Sequence, residues 1–103
     1  MDENADTNEL KSLIAVDLHL EKDEAMLNIS NIETLKKKLI EVINMLLQND
    51  YHRLVNAMYR LDINEKLFRE TISGLHSPGV AARLADLVID REIEKVKTRK
   101  RYH

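Results

Sequence analysis

Three observations predict a mainly α-helical single domain. Apolar residues recur at three- and four-residue spacings from Ser30 to the end of the chain. The whole sequence holds two Gly and one Pro, so breaks in that rhythm are few. With only three Tyr and one Phe, the interior must be filled by Leu, Ile, Val, Met and Ala. At 103 residues one core is expected, burying roughly 60–65% of the unfolded chain's surface. The predicted architecture is an antiparallel bundle of four helices joined by short loops, at about 30–48, 50–61, 64–74 and 78–98. An N-terminal arm, residues 10–29, lies in front of them, behind a disordered acidic tail, residues 1–9.

The arm reads in two ways. Ile14, Val16, Leu18 and Leu20 alternate as on a strand, and Ala25, Leu27 and Ile29 resume the alternation after the polar Glu21-Lys22-Asp23-Glu24 turn, which favours a β-hairpin. Leu10, Leu13, Ile14 and Leu18 also share one helical face behind an Asp6…Glu9 capping box, which favours a short helix. A lone hairpin is marginal in water, so either form must pack on the helices behind it.

The helix at 30–48 opens on Ser30, whose hydroxyl is placed to cap while Glu33 reaches back. Ile32, Leu35, Leu39, Val42, Ile43, Leu46 and Leu47 make its apolar arc wide, so this helix is expected at the centre. Asn49 and Asp50 are poor helix formers that cap well, and they break the pattern before Tyr51, Leu54, Val55, Met58 and Leu61 resume it. Asn64 caps the third helix, with Ile63 and Phe68 positioned as a hydrophobic staple. Gly74 suits a left-handed C-terminal position, and Ser77-Pro78 a cap and first turn. In the last helix Val80, Leu84, Leu87, Val88, Arg91 and Lys95 share one phase.

Composition narrows the function classes. The absence of Cys removes disulfides, thiolate metal sites and a cysteine nucleophile together, and fits a cytoplasmic protein. No basic and apolar leader opens the chain, and no apolar run approaches the ~20 residues of a membrane span. The net charge of −2 hides an asymmetry: eleven acids face five lysines through Tyr51, and seven acids face eleven Lys and Arg from His52 onward. Clustered charge of one sign steers partners over about a Debye length, roughly 8 Å.

Arg91 falls in line with Leu84, Leu87 and Val88, so its stem should lie on the core while its guanidinium meets a carboxylate, Asp62 or Asp50. Arg60, Asp62 and Arg91 are thus the candidate structural clamp, and Arg60 with Arg91 a candidate anion site. Lys95, Lys97, Arg99, Lys100 and Arg101 are candidate phosphate contacts, with Tyr102 available to stack on a base, although the plainer reading is a solvated, dipole-matched helix end. His19, His52, His76 and His103 are scattered without the i, i+4 pairing of a helical metal site. Asp62-x-Asn64-x-Lys66 lacks the later Gly and Glu of a calcium loop. Ser73, Ser77 and the acids Asp90 and Glu92 show no local hydrolytic geometry. No catalytic residue, cofactor or metal is expected.

Tyr59-Arg60-Leu61-Asp62-Ile63-Asn64-Glu65-Lys66, followed by Asp86 to Glu92 and Lys97-Thr98-Arg99, resembles a family of small uncharacterised bacterial helical proteins over residues 30–102. The resemblance carries no activity. It implies that Arg60, Asp62, Glu65, Arg91 and Arg99 form one motif. The expectation is a non-enzymatic protein-interaction module, self-associating or bound to a protein partner, with nucleic-acid binding through the basic C-terminus as the alternative.

Overall fold

The computed structural model describes residues 3–74 and 79–101. These residues form six helices and no strand: α1 Glu3–Asp17, α2 Glu24–Leu27, α3 Ile32–Asn49, α4 Tyr51–Leu61, α5 Glu65–Ile72 and α6 Val80–Arg101. The mainly helical class is as expected, and the hairpin is not. Leu10, Ile14 and Leu18, spaced four apart, are buried, while Val16, which strand alternation would turn inward beside Ile14 and Leu18, is 56% exposed. The helical period therefore won over the alternating one. Helix α1 also begins at Glu3, inside the stretch expected to be a disordered tail, and its Thr7 is buried. Met1 and Asp2 lie outside the described residues.

Helix α6 is the spine. Its 22 residues span about 33 Å at 1.5 Å per residue, most of the 39 Å long axis, and it contacts α1, α3, α4 and α5. The central place expected for α3 belongs to α6. The apolar arc of α3 is nonetheless mostly consumed: Leu35, Leu39, Val42, Ile43 and Leu46 are buried against α6 and α4. Leu54, Ala57, Met58 and Leu61 of α4 and Leu84, Ala85, Val88 and Ile89 of α6 complete the core. Each fully buried Leu contributes roughly 1.5–3 kcal/mol.

Caps explain most boundaries. Asn31, not Ser30, caps α3 by accepting from Thr34 N–H at 2.8 Å; the amide oxygen one position later reaches the third helical amide. The break at Asn49-Asp50 is real: Asp50 leaves helical geometry and caps α4 through Arg53 N–H at 3.3 Å. Asn64 caps α5 through Leu67 N–H at 3.0 Å, and Ile63 and Phe68 both pack on the core as a staple would. The left-handed glycine of the last connection is Gly79 (φ +88°) rather than Gly74, and the expected Ser77-Pro78 start lies outside the described residues.

Helices α1 and α4 end alike. The residue after the final turn is left-handed in each, His19 (φ 58°) and Asp62 (φ 57°). Leu20 N–H then returns to Ala15 C=O and Ile63 N–H to Met58 C=O, at 2.7 and 3.1 Å, the six-residue closure of a Schellman turn. Long cationic side chains satisfy carbonyls at these ends and at the end of α2. Arg53 donates to Leu18 C=O at 2.7 Å, and Lys11 donates to Leu27 and Ile29 C=O, each at 2.9 Å. Arg91 donates to Leu61 C=O at 3.0 Å. Positive charge is favoured at helix C-termini, so these contacts tie α1 to α2, α4 to α1 and α6 to α4.

Candidate functional site

Two clusters of charge flank α6 between Leu87 and Lys95, one on its α4–α5 side and one on its α1 side. On the first, Arg91 donates through Nε to Leu61 C=O, its Nη2 stands 3.6 Å from the Asp62 carboxylate, and its Nη1 donates to Glu94 at 3.3 Å. Asp62 is the partner among the two expected; Asp50 serves as the α4 cap instead. The Asp62 side chain is 88% exposed, so that pair contributes little, and the hydrogen bond to the α4 carbonyl is the stronger tie.

Arg60 does not join it. Its Nη1 lies 2.7 Å from His19 Nε2, so the two arginines expected to converge hold different helix ends. Around Arg91 an open groove of about 480 Å³ runs between α5 and α6. Ile63, Leu67 and Leu87 supply its apolar part and Asp62, Asp90 and Glu94 its charge, so this surface is acidic rather than anion-seeking. A second, smaller groove between α4 and α5 is lined by Val55, Met58, Tyr59, Ile63, Glu65 and Phe68. Helix α5 separates the two grooves and buries no side chain completely. Its own Leu67 is 46% exposed, and Tyr59 of α4 is 69% exposed.

On the α1 side, Glu92 is wholly buried, and neither carboxylate oxygen has a hydrogen-bond partner among the described residues. Lys95 Nζ stands 3.9 Å from Glu92 Oε1 and 3.6 Å from Asp17 Oδ2, one ammonium between two carboxylates. Burial is the main reason that the Glu92 carboxyl is pushed up to about 8; the adjacent Asp17 adds to the shift, while Lys95 and Arg91 oppose it. The sequence marked Glu92 only as an acid beside Asp90 without hydrolytic geometry, not as a buried one. The available signal was spacing: Glu92 lies four residues from both Val88 and Val96 and seven from Ala85, all buried.

The same contacts remove Lys95 from the free cations of the C-terminus. Lys97 and Arg99 are exposed and make no ion pair among the described residues. Lys100 and Arg101 lie in α6, but their side chains fall outside the described residues, as do Tyr102 and His103. Among the described residues no cluster of His, Asp and Glu is arranged to hold a metal ion, and no helix is long and apolar enough to cross a membrane. Comparison with protein-family models, with curated proteins and with solved structures finds no match.

Proposed function

We propose that the protein is a small cytoplasmic, non-enzymatic interaction module that associates with a second copy of itself through α5 and the grooves beside it. The observation that carries this reading is the poor burial of α5. Leu67, Phe68, Thr71 and Ile72 give it an apolar side at helical spacing, yet no side chain of the helix is fully enclosed. An amphipathic helix left half covered between two grooves is suited to receiving another apolar surface. Charge favours a second copy as the occupant. The α5–α6 groove carries Asp62, Asp90 and Glu94, and the far end of α6 offers Lys97 and Arg99, so each molecule supplies both halves of a complementary contact.

Light scattering at about 100 μM tests this. The expected result is a mass twice that of the single chain, reverting to the single-chain mass when Tyr59 and Leu67 are both changed to Ser with helicity intact. A single-chain mass for the unmodified protein across that concentration range contradicts it.

Nucleic-acid binding by the C-terminal end of α6 is the second reading, supported by the exposure of Lys97 and Arg99, without an ion pair among the described residues, ahead of Lys100 and Arg101. It predicts anisotropy changes with a labelled single-stranded oligonucleotide that weaken steeply with salt and vanish when these four residues become Gln. Lys95, facing Asp17, is not expected to contribute. The overall charge of −2 weighs against this second reading.

A further inference from the structure

We propose that Glu92 is a proton-operated latch for the N-terminal helix: uncharged, it closes the seam between α1 and α6, and losing its proton loosens α1 from the rest of the fold. The geometry sets this up. Glu92 sits in the buried stripe of α6 between Val88 and Val96, with both oxygens unpartnered among the described residues. A buried carboxylate without hydrogen bonds is expensive to keep charged. The compensating cation is inadequate, because Lys95 lies at the edge of ion-pair range from Glu92 and slightly nearer Asp17.

Asp17 and Lys95 both keep some contact with solvent, whereas Glu92 has none, so Glu92 is the member that surrenders its charge. The groups acting on it are Asp17 from α1 and Lys95 and Arg91 from α6. Arg53 of α4 spends its guanidinium on Leu18 and His19 C=O nearby, and α3 and α5 supply no charge that acts on Glu92 among the described residues.

When α1 departs, Glu92 and Asp17 separate and both hydrate, so the open form tolerates the charged carboxylate. The closed form binds one proton that the open form releases. Opening therefore becomes up to tenfold easier per pH unit between the ordinary glutamate range and about 8, and levels off above that. Contacts from residue 18 onward supply the pivot: Arg53 on Leu18 C=O, Arg60 on His19, and Lys38 on Asp23 at 3.2 Å.

Native-state hydrogen exchange from pH 5.5 to 9, corrected for intrinsic rates, reads the latch directly. Opening constants for α1 amides (residues 10–17) are expected to exceed those of α3 (residues 35–46) across the range and to rise by up to tenfold per pH unit, flattening near 8. Glu92→Gln, which holds the neutral shape, abolishes the α1 slope; should that variant fold poorly, Glu92→Met must abolish it too. A flat α1 profile in the unmodified protein, a slope that survives Glu92 replacement, or α1 opening constants no larger than those of α3 overturns the proposal.

Discussion

Arg91 and Glu92 leave α6 about 100° apart, the first toward the end of α4 and the second toward α1. Arg91 lies at the surface with three acceptors around its guanidinium: a helix-end carbonyl and two carboxylates. Glu92 lies at the interior with no acceptor or donor in hydrogen-bond geometry among the described residues. Equal and opposite charges on adjacent residues thus meet opposite fates, and the difference is access to water. A cation on a long stem can rest its methylenes on the core and keep its head wet; a glutamate in a packed stripe has no such reach. The α4 end of the molecule is therefore fastened by charge, whereas the α1 seam sets one ion pair, Lys95 with Asp17, beside a carboxyl without a hydrogen-bond partner among the described residues.

The largest expected effect separates the two sides by pH. The Glu92 carboxyl is raised in the folded state, so its contribution is most favourable below its unfolded value, 4.5, and is lost as pH rises to about 8. Unfolding free energy from urea titrations should fall over that window by up to about 1.4 kcal/mol per pH unit. Asp23 acts in the other direction: hydrogen bonds from Met26 N–H and Lys38 hold its carboxyl below the usual value, so its contribution is present above pH 3.8 and is lost on further acidification. The two together place the firmest attachment of residues 3–29 near pH 4 to 5. A profile that climbs from pH 5 to 8 would break the comparison.

Next in size is removal of the buried charge. Glu92→Met should raise stability at pH 8 by about 1–4 kcal/mol, since a buried ion without good partners is commonly improved on by an apolar side chain of similar volume. The same replacement on the other side, Arg91→Met, should lower stability by about 1–2 kcal/mol, mostly through the Leu61 carbonyl left without its donor. Thermal or urea unfolding of the two variants gives opposite signs if the comparison holds. The loss in Arg91→Met should be somewhat larger at pH 9 than at pH 6, because Arg91 also favours the charged form of Glu92, which titrates at about 8.

The smallest effect sharpens the Arg91 side. Asp62→Gly relieves a left-handed residue that ordinarily costs roughly 1 kcal/mol, and removes an exposed pair contributing less than that. A net gain of a few tenths of a kcal/mol is expected in urea titration. A loss above about 1 kcal/mol would mean that the Asp62 carboxylate holds Arg91 more firmly than its exposure implies.

How legible each region was follows from the range of the forces that build it. The α4 cap at Asp50, the α5 cap at Asn64 and the helical rhythm of α3, α4 and α6 depend on residues three or four apart, and the sequence displays them. Arg91 was legible for the same reason: its phase with Leu84, Leu87 and Val88 marks a cation on the core, and the helix end it meets holds the expected Asp62.

The N-terminal segment was ambiguous because Ile14 and Leu18 satisfy both a two-residue and a four-residue period. Only packing against α6 decides which face is inside, and that contact spans most of the chain. The hub was misplaced for a related reason. A wide apolar arc marked α3 as central, but position depends on which helix others can reach, and the length of α6 settles it. Glu92 was hidden because a polar letter in an apolar stripe reads as surface until the opposing helix is known. Arg60 was misjudged because its partner, His19, is forty-one residues away.

Both the pH dependence and the opposite signs of the two replacements require a carboxyl group inside the α1–α6 seam that keeps its proton near neutrality. Following the side-chain carboxyl carbon of Glu92 by NMR from pH 3 to 10 tests it most directly. A titration step centred near 8 is the expected result; a step at 4 to 5 would contradict it.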